Sequence, residues 1–151
     1  LEIVEIGNLP FYNQDFDDKN MVPEVIENYR NKIKGFDAFL FITPEYNRSL
    51  PAVLKNAIDV ASRPKTANLW GRKPAAIISN SPGKISGFGA SHHLRQVIAC
   101  LNMPVVQQPE VYIGNVVKLL DDNGKLNNEY TNKLLHRLVD AFVELIKRYQ
   151  V

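Results

Sequence analysis

The stretch FDAFLFITPEYNRS, residues 36–49, decides the fold of this chain. Residues 36–42 are almost unbroken apolar, which predicts a strand in a parallel sheet with helices covering both of its faces. Residues 51–62 then predict a helix, with Ser49 as its cap. The polar segment between them, residues 43–49 (loop A), leaves the carboxyl end of the strand, where ligands of parallel α/β sheets bind.

Strand and helix signals alternate along the rest of the chain. Further predicted elements are strands at 1–6, 75–78, 105–106 and 111–113, and helices at 22–34, around 94–101 and from about residue 129. Gly35 ends the helix before loop A's strand, and a turn is predicted at 121–124. This alternation predicts a single domain over residues 1–151, built as a three-layer α/β/α sandwich around a parallel sheet.

The composition is that of an ordinary soluble domain and excludes several classes of function. A hydrophobic fraction of 45% and a charged fraction of 23% suffice for one sizeable core in 151 residues. The net charge of +2, mixed evenly along the chain, is too small to indicate a nucleic-acid-binding surface. One cysteine, Cys100, allows neither an intrachain disulfide nor a thiolate zinc site and is typical of a cytoplasmic protein. No apolar run approaches the ~20 residues of a membrane span.

A second unusual loop, SNSPGKISGFGA at residues 79–90 (loop B), follows the predicted strand at 75–78. Its glycines let the backbone approach a ligand closely and turn N–H groups outward, although a flexible connector explains them equally well. The spacing matches no Walker loop, no dinucleotide-binding GxGxxG motif and no GxSxG nucleophile elbow. Loop B is therefore a candidate site because of its position beside loop A rather than because of a motif.

Loop A offers side chains that suit a planar heteroaromatic ligand. Tyr46 supplies a flat face, and Asn47 supplies an amide that both donates and accepts hydrogen bonds. An ordinary polar loop is the competing interpretation, and Glu45 is predicted to be a solvated carboxylate rather than a general base. His92 and His93 have no evident third partner, so no metal site is predicted. No Ser/His/Asp set or carboxylate pair stands out, which leaves the chemistry of an enzyme to a cofactor.

Taken together, these segments resemble the NADPH-dependent FMN reductase family, flavodoxin-like proteins that include quinone, azo-dye and chromate reductases. The matching segments are TPEYNRS at 43–49, LKNAID at 54–59, SPG at 81–83, HLRQ at 93–96 and PE at 109–110. The resemblance spans nearly the whole chain from Leu1, and PEYN followed by LKNAID is its most specific part.

The resemblance implies a flavodoxin-like sheet of strand order 2-1-3-4-5 and an FMN molecule held by loops A and B. The residues that it assigns to FMN are Pro44, Glu45, Tyr46, Asn47, Asn80, Ser81, Pro82 and Gly83. It also implies hydride transfer from NADPH or NADH through FMN to small-molecule acceptors, namely quinones, azo compounds, metal oxyanions or free flavin. No catalytic side chain is expected beyond the cofactor, and a surface shared by donor and acceptor predicts ping-pong kinetics.

Assembly and the N-terminal end add two expectations. Residues 50–61 are apolar around more than one face, and in the family this helix is buried in homodimers that pair into homotetramers. The family's first strand, strand 1 of the 2-1-3-4-5 order, and its FMN-phosphate loop have no counterpart from Leu1 onward. We therefore expect about 30 further N-terminal residues in the natural protein, enough for one strand, one helix and their loops. Residues 1–151 alone are expected to bind FMN weakly or not at all.

Two other functions stay open from the sequence. One is a flavodoxin-like electron carrier that binds FMN but does not turn over NAD(P)H. The other is a non-catalytic oligomeric binding module without flavin. A visible spectrum of the purified protein separates the module from the two flavoproteins, and anaerobic mixing with NADPH separates the carrier from the enzyme.

Overall fold

Three parallel strands form the centre of the molecule in the computed structural model, which describes residues 1–63 and 68–149. The strands are β1 (Phe39–Pro44), β2 (Ala75–Asn80) and β3 (Val111–Ile113), in that order across the sheet. Pro44 pairs with Asn80, so the carboxyl ends of β1 and β2 lie side by side at one end of the sheet. Loops A and B both leave the sheet from this end.

Helices cover the two faces of this sheet, because side chains along a strand point alternately to opposite sides and both sides are apolar here. The helices are α1 (Asp15–Asp18), α2 (Glu24–Lys34), α3 (Ala52–Ala61), α4 (Phe88–Cys100) and α5 (Glu129–Tyr149), with a 3-10 helix at Val116–Leu119. In β2, Ile77 packs in a core with α2, α3 and α4, whereas Ile78 packs in a second core with α5. The predicted three-layer sandwich with a parallel sheet is confirmed.

Trp70 anchors the larger of the two cores. It is 2% exposed, and its ring centroid lies 4.7 Å from that of Phe39 in β1. Its Nε1 donates a hydrogen bond to the carbonyl oxygen of Ile58 in α3 at 2.9 Å. A buried indole whose N–H is paired contributes aromatic packing without leaving an unsatisfied donor. β1 is thereby held against α3, the two elements that flank loop A.

Residues 1–6 do not form the predicted strand. They run as irregular backbone, with Val4 and Ile6 partly buried against the core and Glu2 paired with Lys32 of α2. The strand prediction is wrong because a strand requires hydrogen bonds to a neighbouring strand, and none of the described strands pairs with this segment.

β1 differs from its prediction at both ends and on one face. It begins at Phe39, after a bend at Asp37, and it continues to Pro44, which still pairs with Asn80. Ile42 is 63% exposed, so the expectation that helices cover both faces of this strand fails at that position. β1 lies at one edge of the described sheet, which leaves part of its surface open.

The helices predicted at 22–34, at 51–62 and from about residue 129 form with small shifts at their ends, whereas α1 lies where no helix was predicted and α4 begins earlier than expected. Gly35 ends α2 as predicted, and α5 begins where it was predicted. α3 begins after Pro51, which is its N-cap, so Ser49 does not cap it. α4 begins at Phe88, inside loop B, because Gly87 takes a left-handed conformation and serves as its N-cap.

Two further predicted elements lie between α4 and α5. The predicted turn at 121–124 forms, with Asp121 Oδ1 accepting the Asn123 N–H at 2.9 Å. The predicted strand at 105–106 is reduced to a single bridge between Val105 and Ala75. Among the described residues, no helix combines the length and the apolar character that crossing a bilayer requires.

The loop at residues 7–20 is fixed by buried polar contacts. Asp17 of α1 accepts hydrogen bonds from Nη1 and Nη2 of Arg30 at 2.7 and 2.8 Å, and both side chains are largely buried. The Tyr12 hydroxyl donates to the same carboxylate at 2.9 Å. Oδ1 of Asn56 in α3 accepts the Tyr12 N–H at 2.8 Å. These contacts tie the loop to both α2 and α3.

Candidate functional site

Loops A and B lie side by side because they leave neighbouring parallel strands at the same edge. The Glu45 N–H donates to the carbonyl oxygen of Asn80 at 3.0 Å, and Nδ2 of Asn80 donates to the carbonyl oxygen of Thr43 at 3.4 Å. The structure therefore brings together the two halves of the predicted site, residues 44–47 and 80–83.

The tip of loop A is a tight turn. Tyr46 and Ser49 exchange two backbone hydrogen bonds of 2.9 Å, and Asn47 and Arg48 between them have φ angles of 50° and 69°. Positive φ at both central residues is the signature of a type I′ turn, which asparagine adopts readily and arginine seldom does. Tyr46 is 62% exposed and Asn47 is exposed beside it, so both predicted ring-binding side chains are accessible to a ligand.

The side chain of Glu45 is buried, although the residue lies in a polar loop. Its side chain is 6% exposed, and Oε2 accepts hydrogen bonds from the N–H groups of Gly89 at 2.7 Å and Ala90 at 3.3 Å. Oε1 lies 3.3 Å from Nη1 of the exposed Arg48. The prediction of a solvated carboxylate is wrong, because the first N–H groups of α4 lack partners within the helix and attract an acid.

Close packing explains two of the loop B glycines better than flexibility does. A Cβ on Gly87, whose φ is 83°, would lie 2.8 Å from the nitrogen of Asn80. A Cβ on Gly89 would lie 2.5 Å from the carbonyl oxygen of Arg48. Both distances are shorter than real Cβ contacts, so only glycine allows α4 to begin this close to loops A and B. The interpretation of loop B as a flexible connector is therefore wrong for this part.

The outer part of loop B is anchored to β3 and open to solvent. The Ser81 N–H donates to the carbonyl oxygen of Ile113 at 3.0 Å, and Ser81 Oγ accepts the Gly83 N–H at 3.1 Å. Pro82 and Gly83 are exposed, and the Cβ position of Gly83 has Ser81 Oγ, at 3.5 Å, as its one described neighbour within 4 Å. Loop A beside it exposes the Tyr46 ring and the Asn47 amide. A flat face and an amide that donates and accepts hydrogen bonds are the groups that suit a planar ring with a polar edge, such as that of FMN.

His92 and His93 are both bound to protein groups. His93 Nδ1 lies 2.9 Å from Ser49 Oγ in loop A, and His92 Nε2 lies 3.2 Å from the Tyr112 hydroxyl of β3. The Phe88 ring centroid is 4.1 Å from that of His92. Burial raises the pKa of Tyr112 to about 12, so its hydroxyl keeps its proton at neutral pH. Within the part of the chain that the structure describes, no three His, Cys, Asp or Glu side chains are grouped to hold a metal ion.

Comparison with known proteins identifies the family. A family model described as NADPH-dependent FMN reductase matches residues 1–118. The chain belongs to this family. A quinone reductase of Pseudomonas putida is 50% identical to this FMN reductase family member over 147 residues, which cover 97% of this chain and 78% of that protein. A 2-hydroxy-1,4-benzoquinone reductase of Burkholderia sp is 43% identical, over 99% of this chain and 81% of that protein.

A solved structure agrees with this assignment. FerB, a flavoenzyme NAD(P)H:(acceptor) oxidoreductase from Paracoccus denitrificans, is 40% identical and has a TM-score of 0.86, over 95% of this chain and 78% of that chain. Members of the NADPH-dependent FMN reductase family are oxidoreductases that use FMN and NADPH. The predicted family, enzyme class, cofactors and flavodoxin-like fold are therefore confirmed. The predicted contacts of individual residues in loops A and B with FMN stay a prediction.

Proposed function

We propose that this FMN reductase family member is an NAD(P)H:quinone oxidoreductase. The observation that carries the proposal is the position of Tyr46 and Pro82, which are both exposed. They lie on neighbouring loops, which are joined by the 3.0 Å hydrogen bond from the Glu45 N–H to the Asn80 carbonyl oxygen. An open surface of this kind suits flat acceptors of varied shape. A relative that is 50% identical carries the name quinone reductase. Azo compounds, metal oxyanions and free flavin are further proposed acceptors.

Loops A and B would hold the cofactor within one domain. The proposed FMN-binding residues are Pro44, Glu45, Tyr46, Asn47, Asn80, Ser81, Pro82 and Gly83. Glu45 would contribute through its backbone, since its carboxylate is buried. When bound, FMN supplies the group that takes a hydride and passes it on. The Asn47 amide and the loop B backbone bind the polar edge of the ring, where fixed dipoles stabilise negative charge. Pro44 fixes the direction in which loop A leaves β1, and Tyr46 shapes the pocket without moving a proton.

Asn47→Gly is expected to weaken FMN binding by the full-length protein roughly three- to tenfold, the effect of losing one hydrogen bond. Glycine tolerates the φ of 50° at this position, so the change removes the amide without straining the turn. Asn102→Gly is the matched control, because Asn102 also has a positive φ, 58°, and follows the far end of α4. Titration by flavin fluorescence measures both affinities.

Two results would contradict this assignment of the site. Equal FMN affinities for Asn47→Gly and the wild type would show that the amide does not bind the ring. A colourless full-length wild type that leaves the spectrum of added FMN unchanged would refute FMN binding at loops A and B altogether, and would favour the non-catalytic module.

Ping-pong kinetics are expected for NADPH and a quinone. The chain has no GxGxxG segment to hold the dinucleotide elsewhere, so nicotinamide and quinone should use the surface at loops A and B in turn. Double-reciprocal plots for NADPH at several fixed quinone concentrations should give parallel lines, and the same pattern is expected with NADH. Intersecting lines would reveal a ternary complex and contradict the shared surface. Anaerobic NADPH that fails to bleach the flavin would favour the electron carrier.

We further propose a cytoplasmic homodimer, with dimers pairing into a tetramer, in which α3 lies at an interface. Val53 of α3 is 40% exposed and Leu54 is half-buried, so this helix keeps apolar surface uncovered in the single chain. A groove of about 430 Å³ lies between the start of α3 and α4, lined by Ser49, Leu50, Ala52, Lys55, His93, Gln96 and Val97. A second copy of the chain would cover the exposed apolar surface of α3 and this groove.

Val53→Glu should shift the wild-type dimer or tetramer towards monomer, because a carboxylate would have to be buried in the interface. Val139→Glu is the matched control, since Val139 is similarly exposed, at 46%, but lies on α5. Sedimentation at micromolar concentration measures the assembly. A monomeric wild type, or equal effects of the two substitutions, would argue against an interface at α3.

A further inference from the structure

We infer that Glu45 is a positioning residue. Its carboxylate holds loop A against the first turn of α4 through the N–H groups of Gly89 and Ala90 (the lock), and so determines where Tyr46 and Asn47 contact FMN. The inference rests on the proposed FMN site and refines it, because the Glu45 carboxylate acts through the backbone rather than on the cofactor. Its side chain is 6% exposed, whereas Tyr46 in the same loop is 62% exposed. The carboxylate is thus turned inward, away from the surface that a ligand reaches.

α4 takes its cap from a distant part of the chain. Its N-cap is Gly87, which has no side chain, so the first N–H groups of the helix need an acceptor from elsewhere. Oε2 of Glu45 accepts the N–H of Gly89 at 2.7 Å and that of Ala90 at 3.3 Å. A carboxylate at a helix N-terminus also interacts favourably with the helix dipole. The buried carboxylate of Glu45 therefore gains hydrogen-bond donors, and the N–H groups of Gly89 and Ala90 gain an acceptor.

The backbone of Glu45 binds loop B at the same time. Its N–H donates to the carbonyl oxygen of Asn80 at 3.0 Å, so one residue connects the end of β1, the end of β2 and the start of α4. The packing is close on the helix side, since a Cβ on Gly89 would lie 2.5 Å from the Arg48 carbonyl oxygen and 3.1 Å from Oε2 of Glu45. Loss of the carboxylate therefore removes its hydrogen bonds to the start of α4, while the 2.9 Å contact of Ser49 Oγ with His93 Nδ1 still joins loop A to the helix.

Arg48 contributes little to this lock. Its Nη1 is 3.3 Å from Oε1 of Glu45, and its side chain is 65% exposed. Exposed ion pairs of this kind have small energies. Arg48→Ala therefore removes the neighbouring charge while leaving the hydrogen bonds of Glu45 to Gly89 and Ala90 in place, which makes it the matched control.

Glu45→Gln tests the lock, because glutamine keeps the length of the side chain but removes the charge. In flavin-free protein, amide hydrogen exchange at Gly89 and Ala90 should become roughly tenfold faster, as expected for a lost charge-assisted hydrogen bond. Exchange at Ile77 in β2 should not change. In the full-length protein FMN should bind roughly tenfold more weakly, and the absorption band of FMN bound at saturation should shift with its altered surroundings. Arg48→Ala should leave all of these values unchanged.

Each outcome decides the inference. Unchanged exchange at Gly89 and Ala90 overturns the lock, and faster exchange with unchanged FMN affinity and band position overturns its role at FMN. A wild type that binds no FMN refutes the proposed site and the role at FMN, while exchange still decides whether the lock exists. If Glu45→Gln does not fold, Glu45→Asp tests the same contact, because its carboxylate is one methylene shorter and falls short of the N–H groups of Gly89 and Ala90. It should also speed exchange at Ala90 and weaken FMN binding, and wild-type values would overturn the inference.

Discussion

Gly87→Ala should destabilise the protein by roughly 2 to 5 kcal/mol, the sum of a left-handed alanine and an overpacked contact. The φ of Gly87 is 83°, and a Cβ there would lie 2.8 Å from both the nitrogen of Asn80 and Cβ of Ser79. Neither neighbour yields easily, because both belong to β2 and Ser79 is fully buried. Thermal denaturation should show Tm falling by roughly 4 to 20 °C, at about 2–4 °C per kcal/mol for a chain of this size.

Gly124→Ala separates the two causes of this loss. Gly124 also has a positive φ, 74°, but no described atom lies within 4 Å of its Cβ position. Its substitution should therefore show only the conformational cost of about 1–2 kcal/mol. The stability that Gly87→Ala loses beyond the loss in Gly124→Ala therefore measures the cost of the close approach of α4 to the end of β2. Equal losses in the two variants would show that this close approach contributes nothing to stability.

Asp17→Asn should remove roughly 3 to 5 kcal/mol of stability at neutral pH, as expected when one partner of a buried ion pair is lost. The Arg30 side chain, 10% exposed, would keep its charge, while Nη1 and Nη2 would lose the carboxylate that accepts them at 2.7 and 2.8 Å. The Tyr12 hydroxyl would lose the same partner. Unfolding in urea measures the free-energy difference from the wild type.

The difference in unfolding free energy between Asp17→Asn and the wild type should disappear in acid. Hydrogen bonds from Arg30 are the main cause that holds the pKa of Asp17 below its ordinary value. The stability that the ion pair contributes is therefore fully present above the unfolded pKa of about 3.9, and it is lost as pH falls through the lower pKa of the folded protein. Asp15→Asn is the control in the same helix, because its pair with Lys19 is exposed and should contribute little at any pH. A deficit for Asp17→Asn that persists in strong acid would contradict the linkage.

The layers of the fold could be predicted from local patterns, because each element carries its own signal. The run at 75–78 is short and wholly apolar, and it forms the buried strand β2. The apolar stripe from residue 129 onward forms α5, with Leu138 buried at its centre. Residues 1–6 show the limit of such patterns. Their composition is that of a strand, but a strand also needs a partner, which the segment itself cannot reveal.

Part of the candidate site could likewise be predicted from the sequence, and part of it could not. Parallel topology alone brings residues 44–47 and 80–83 to one edge, so their proximity could be predicted. The burial of Glu45 could not, because its donors at Gly89 and Ala90 are 44 and 45 residues away along the chain. Contacts at this separation depend on how α4 docks against loop A, and no periodicity within either segment reports that distance.

Parallel pairing in the sheet also affects the order in which the chain folds. Phe39 pairs with Ala75 and Ile78 pairs with Val111, so each strand contact joins segments separated by a whole helix. The described strands contain no β-hairpin that could serve as an early local nucleus. Closing such long loops lowers the entropy of the chain before any strand contact is gained. We therefore expect helices to precede the sheet, and the folding rate to be slower than that of a helical bundle of equal length.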